Sequence, residues 1–310
     1  ENSSSVYHQK EEKMTLLTIK NTPYIAQQRP IINYYEVAGM DYAAWSKAFN
    51  MHFGYYRWGI NPFHLEAMLQ EMSEQVWKHL RVLPQQAAKL LDIGCGMGTV
   101  ARYFAQKSPQ LSVQGITLVE AQVNFGHQLI QKEGLQQQVM LDVQNFENMW
   151  FPNQHFDYAY AIESSCYARG EDKGQLIEEM YRVLQPGGRV VICDGFRKHS
   201  KPLPALVGRI YRQLCKSWAL PDLADINRFV AKMKATGFKS IEVKEISWQV
   251  APSVAYVPLV TLKFLVKQLW ANKSLRLQTE RWDNIISPLL TMFLGLCRAH
   301  FGYYLISAEK

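Results

Sequence analysis

Between residues 85 and 307, short apolar runs alternate with segments whose apolar positions recur at helical intervals. The runs are Lys89–Ile93, Ser112–Thr117, Val139–Leu141, Phe156–Ala161 and Arg189–Cys193, each short and nearly continuous, as in strands buried on both faces. Leu176, Met180, Val183 and Leu184 share one helix face, which Pro186-Gly187-Gly188 ends. A helix over Asp225–Thr236, with Gly237 past its end, leads into a strand Ile241–Ile246, and Tyr303–Ser307 is the last strand. This alternation predicts an α/β fold: a doubly wound, mostly parallel, seven-stranded Rossmann-like sheet. Upstream, Phe63, Met68, Met72 and Val76 recur at helical spacing, so residues 21–85 read as a helical N-terminal lid ended by Pro84. Residues 1–20 read as a disordered tail: the first thirteen are polar, with no apolar stretch behind a basic start, and Met14 could be the natural beginning. The remainder, 86–310, is one domain with a substrate cap at about 195–225 and 250–298.

The first strand runs straight into three alternate glycines, Gly94, Gly96 and Gly98, and then into a helix opened by Val100, Ala101, Tyr103 and Phe104. A strand, a glycine turn and a helix form the first unit of a nucleotide-binding sheet, where backbone can approach a ligand that any Cβ would meet. A dinucleotide fingerprint would need its third glycine where Thr99 stands.

Composition narrows the rest. The net charge of +7 is spread along the chain with no dense block of Lys and Arg, which argues against nucleic acid and leaves a solvated basic surface, an anionic ligand or a membrane. Five cysteines, odd in number and without CxxC spacing, suggest a reducing, cytoplasmic setting and no structural metal. Ser-His-Asp, HExxH and P-loop patterns are absent. Two stretches, Val254–Trp270 and Ile285–Leu296, are unusually apolar; Pro258, Lys263 and Lys267 break the first and the second is too short to span a bilayer. They read as cap helices over an apolar pocket, or as a face that touches membrane.

The Asp92…Gly94-x-Gly96-x-Gly98 loop and the helix–PGG–strand element resemble class I S-adenosylmethionine (SAM) methyltransferases, over roughly residues 85–307. The resemblance implies SAM as cofactor, with Asp92 near the ligand's ammonium group and Gly94 and Gly96 against its tail and ribose. The acid usual after the second strand is missing. The string Gly115-Ile116-Thr117-Leu118 followed by Gln122 is similar to the tocopherol and cyclopropane-fatty-acid branch, which assigns nucleoside contacts to Thr117, Leu118 and Gln122. Glu120 is either a displaced acid or a carboxylate stabilising its helix start. Where the family places an adenine-binding Asp, this chain has Asn145, whose carbonyl could take that role or serve an Asx turn, and Phe146 supplies a backbone N–H.

The string Ile162-Glu163-Ser164-Ser165-Cys166 resembles an element of sterol and geranyl-diphosphate C-methyltransferases, which implies that Glu163 is the base removing a proton after methyl addition to an alkene. The alternative is a Glu163 that only contacts SAM or caps a helix. Tyr34-Tyr35-Glu36, Trp45 and Met51-His52-Phe53-Gly54-Tyr55-Tyr56 resemble the lid of the same enzymes, with Tyr35 closing over the SAM tail. On this reading Tyr55, Trp58, Tyr167 and Arg197 meet the substrate and Tyr56 assists catalysis, while His52 is either a base or a hydrogen-bonded structural residue; Tyr42 and Phe63 are plain core. Arg57, Arg169, Arg197, Lys198 and Arg209 are candidate clamps for a prenyl diphosphate. The implied activity is C-methylation of an isoprenoid-like alkene, with O-, N- or ring methylation, or a non-catalytic SAM-binding protein, as alternatives. The partner is a small apolar or amphipathic acceptor; peripheral membrane contact and a homo-oligomer are left open.

Overall fold

The computed structural model describes residues 23–83, 85–272 and 279–310; the N-terminal tail and Pro84 lie outside the described residues. Helix α1 (Pro23–Ala38), a 3-10 turn (Gly39–Ala44) and helix α2 (Leu65–Leu80) come first. Then follow β1 (Ala88–Ile93), α3 (Thr99–Lys107), β2 (Leu111–Thr117), α4 (Glu120–Lys132), β3 (Val139–Val143) and β4 (Phe156–Ile162). Next are α5 (Gly174–Val183), β5 (Leu184–Arg197), α6 (Ala205–Ser217), α7 (Ile226–Thr236) and β6 (Lys239–Glu245). The chain closes with α8 (Ser247–Val254), α9 (Val257–Asn272), α10 (Thr279–Leu296) and β7 (Phe301–Glu309).

The strands form one sheet in the order β3-β2-β1-β4-β5-β7-β6, with β7 alone antiparallel to its neighbours. Leu90, Leu91 and Ile93 of β1 and Val190 to Cys193 of β5 are fully buried, because helices cover both faces; this is why those strands read as continuous apolar runs. Edge strand β6 is largely exposed. Asp225 caps α7 by accepting from the N–H of Asn227 at 2.8 Å, and Gly237 ends it at φ +116°.

Leu184 is not on the helix face: it opens β5 and pairs with Phe156, so the PGG segment belongs to the strand. Phe63 is not core but 86% exposed, because His64 caps α2, accepting from the N–H of Ala67, and the helix starts only at Leu65.

The turn after β4 is held by a buried lysine. Lys173 Nζ donates to the carbonyls of Ala168 (2.6 Å), Asp222 (2.7 Å) and Cys166 (3.2 Å). Lys173→Met keeps the aliphatic stem and strips three buried acceptors of their donor. At about 1–3 kcal/mol per unpaired group, the loss should be about 3 kcal/mol or more, read as a clear drop in Tm by calorimetry. A Tm within a degree or so of wild type would show that these bonds contribute nothing net.

Candidate active site

Ligand crevices in such sheets open at the carboxyl ends of the strands, where the order reverses. Here that point lies between β1 and β4. After β1, the N–H groups of Gly94 and Cys95 both donate to the Ile116 carbonyl at 2.9 Å, folding the chain sharply against the end of β2. Gly94 has φ +80°, and a Cβ there would fall 2.3 Å from Ser164 Cβ; Ser164 in turn donates to the Ile93 carbonyl. Gly96 has φ +53°, and its Cβ would lie 2.9 Å from Met51 Sδ in the lid. The loop is therefore pressed between the post-β4 turn and the lid, and only glycine fits.

A cavity of about 90 Å³ opens beside this loop, lined by Asp92, Gly94 and Gly96, by Thr117, Leu118 and Gln122, and by Phe146, Glu163 and Tyr35. Burial pushes the Asp92 carboxyl up to about 7, with the Tyr160 hydroxyl of the neighbouring strand pulling the other way. A buried carboxylate in this state is complementary to an ammonium group. The Thr117 hydroxyl donates to Gln122 Oε1 at 2.8 Å, which turns Gln122 Nε2 toward Met51 Sδ, 3.7 Å away. These features fit the amino-acid tail and nucleoside of SAM. Of its two expected roles Asn145 takes the turn: its carbonyl accepts from the N–H of Glu147 at 2.9 Å, an Asx turn, leaving a buried Nδ2 donor without a partner among the described residues instead of an acceptor for adenine. Glu120 lies exposed at the start of α4, outside this cavity.

A second cavity, about 200 Å³, meets the first at Tyr35, Met51, His52, Glu163 and Tyr167. Leu214, Leu220 and Leu223 line its far side, with Val257, Val260 and Phe264 of α9 and Ile285 and Pro288 of α10. Glu163 stands at the junction in a left-handed conformation, φ +49°. Its N–H donates to the Cys193 carbonyl at 2.8 Å, so the turn swings the side chain away from the sheet and toward the lid. There Oε1 accepts from the N–H of Phe53 and the hydroxyl of Tyr303, both at 2.7 Å. Burial pushes this carboxyl up to about 8; the two donors oppose the shift and Asp194 adds to it. Strained backbone of this kind persists where the surroundings over-determine it, commonly at functional sites.

His52 lies 2.9 Å from the Phe53 carbonyl through Nδ1, so Nδ1 carries the proton and donates. Nε2 is buried and without a partner among the described residues. Burial lowers the ring to about 4, which keeps it neutral with a lone pair on Nε2. Tyr35 and Tyr167 join α1 to the post-β4 turn by a 2.9 Å bond between their hydroxyls. Asp194 fixes that turn, accepting from the Ser165 hydroxyl (2.7 Å) and the Cys166 N–H (2.9 Å).

Five expected site residues, Asn145 and four others, line neither cavity. Tyr55 is buried in the core against Met72 and Val76, and Tyr56 is tied by its N–H to the Gln249 carbonyl at 2.7 Å. Trp58 is 90% exposed, because the turn from Arg57 to Ile60 carries it outward. Arg197 turns back to donate to the Lys201 carbonyl at 2.8 Å. Conversely Tyr42, read as core, lines the second cavity and stacks on Tyr35 with ring centroids 6.4 Å apart. Met51, Asp194 and Tyr303 were not singled out. Tyr303 reaches Glu163 only because β7 runs antiparallel and pairs it with Gly195, a register with no local signature.

Residues 90–188 match the family Methyltransf_25, described as a methyltransferase domain. Methyltransferase GfsG of Streptomyces halstedii is 27% identical over 237 residues, 76% of this chain and 81% of that protein. The 2-methyl-6-phytyl-1,4-hydroquinone methyltransferase of Synechocystis sp. is 27% identical over 233 residues, 74% of this chain and 70% of that one. Among solved structures, geranyl diphosphate C-methyltransferase of Streptomyces coelicolor A3(2), with Mg2+, geranyl diphosphate and S-adenosyl-L-homocysteine, superposes with a TM-score of 0.67 at 19% identity, covering 93% of this chain and 98% of that one. Fold, glycine loop and relatives together define a class I, SAM-dependent methyltransferase. The Synechocystis relative is named for a phytyl-hydroquinone acceptor and the Streptomyces halstedii one names no acceptor, so the acceptor has to be argued from the second cavity.

Proposed function

We propose that the enzyme methylates an uncharged, largely apolar acceptor, at an alkene carbon of an isoprenoid- or sterol-like molecule. The observation that carries this is Glu163, held at the junction of the cofactor cavity and the apolar cavity. SAM supplies an electrophilic methyl group whose sulfur keeps the bonding pair. The protein aligns the acceptor and excludes water. Adding a methyl cation to an alkene leaves a carbocation, and a neighbouring C–H proton must go to a base. Ionised Glu163 takes that proton, with Phe53 N–H and Tyr303 O–H stabilising the carboxylate until it does. Tyr35, Tyr42 and Tyr167 turn aromatic surface toward the same space, which suits a cation.

The prenyl diphosphate form of this reading loses support. Arg57 pairs with Glu71, Arg169 with Glu147 and Lys198 with Glu245, and none of the five candidate clamps lines the acceptor cavity. Its ionisable lining is instead Asp41, Glu163, Cys166 and Asp194 with His52 and tyrosines; Asp41 is already paired with Arg281, and no Lys or Arg lines the cavity to receive a phosphate. The unpartnered Nε2 of His52 supports a second reading, in which it accepts the proton of a hydroxyl acceptor during O-methylation.

A labelled-methyl assay over free isoprenoid alkenes, sterols, phenols and prenyl diphosphates separates these. Label on carbon of an uncharged alkene, retained in His52→Gln and lost in Glu163→Gln, is the expected result. Label on oxygen that depends on His52 would favour the second reading, and preferred labelling of a diphosphate would contradict both.

A further inference from the structure

Helix α9 is apolar on two sides. Val257, Val260, Thr261 and Phe264 line the acceptor cavity, whereas Leu259, Leu262, Val266, Leu269 and Trp270 are 46–83% exposed. The exposed five recur at helical spacing as one stripe. Lys263 and Lys267 are exposed beside it, and the helix contains no acidic residue. Helix α10 divides in the same way: Ile285, Pro288 and Thr291 face the cavity, and Ile286, Leu289, Phe293 and Leu296 are 37–81% exposed. The two helices pack on each other, and α6, packed on α10, adds exposed Arg209, Arg212 and Lys216. Single exposed apolar residues are ordinary; two adjacent helices that each show water a stripe of them are not.

We propose that the outer face of α9 and α10 docks in the plane of an anionic lipid bilayer, so that the acceptor cavity lies one helix thickness from the lipid. Charge selects this occupant. An apolar stripe flanked by lysines, with no acid on α9 and the two acids of α10, Glu280 and Asp283, confined to its first turns ahead of the exposed stripe, complements anionic headgroups over an acyl boundary. A second copy meeting this face about a two-fold axis would instead bring its lysines toward these lysines. Residues lining the cavity and residues meeting lipid are separate sets, so the docking can be removed without touching the site.

The test is co-sedimentation of the full chain with vesicles of phosphatidylcholine and phosphatidylglycerol, against phosphatidylcholine alone. Wild-type protein should bind the anionic vesicles preferentially and lose binding as salt rises. Lys263→Ala/Lys267→Ala should weaken it by roughly ten- to thirtyfold, and Leu262→Glu/Trp270→Glu should abolish it, each with unchanged SAM binding by calorimetry. No preference for anionic vesicles, or binding that survives both double variants, would overturn the proposal. So would a wild-type dimer that ignores vesicles and dissociates in Leu262→Glu/Trp270→Glu.

Discussion

Glu163→Gln should lower turnover by about 10²-fold or more while leaving SAM affinity within a few-fold. The substitution keeps size and polarity, so Phe53 N–H and Tyr303 O–H still find an acceptor, but charge and basicity are gone. Wild-type turnover should rise with pH and level off above about 8, the value to which burial pushes this carboxyl, because only the ionised form can take a proton. That limb should vanish from the residual activity of Glu163→Gln. Stability gives an independent control. A buried carboxyl whose folded pKa is raised costs folding free energy progressively, from the ordinary carboxylate range up to about pH 8. Glu163→Gln should therefore be no less stable than wild type above pH 8, where the wild-type group is charged. A glutamine variant with near-normal turnover, or one whose whole defect is lost SAM binding, would make Glu163 a cofactor or structural residue.

Asp92→Asn should weaken SAM binding by about 10- to 100-fold, the worth of a charged hydrogen bond in a buried site. Wild-type affinity should fall below pH 7, by up to about tenfold per pH unit, because the carboxyl, raised to about 7, must then release a proton to hold an ammonium group. The asparagine variant should lack that dependence. Calorimetry across this range reads both effects. Equal affinity in the two proteins would place the ammonium group elsewhere.

The cofactor side of this enzyme was legible because it is local. Asp92, Gly94 and Gly96 lie within five consecutive residues, and Thr117 and Gln122 follow one strand end, so spacing alone brings them together. The strands were legible because helices bury both sheet faces and leave continuous apolar runs. The acceptor side is built across the chain. Tyr42, Glu163, Asp194 and Tyr303 converge from the lid, β4, β5 and β7, and only sheet register and lid docking decide that. The lid misled most. Its aromatic spacing gave Tyr55, Tyr56 and Trp58 equal claims on the pocket, yet one is core, one is pinned by backbone, and one faces water. Tyr42 went the other way for the same reason: which side of a short 3-10 turn faces the cavity depends on how that turn packs against α9 and α10.

The central claim is that cofactor and acceptor cavities meet at Glu163, and a crystal structure with S-adenosylhomocysteine bound tests it most directly. The amino-acid tail should lie against Asp92 and the adenine beside Phe146, with the sulfur turned toward Glu163, His52 and Tyr167 and the apolar cavity beyond. A sulfur facing away from Glu163, or an adenine occupying the cavity between Leu214 and Phe264, would contradict it.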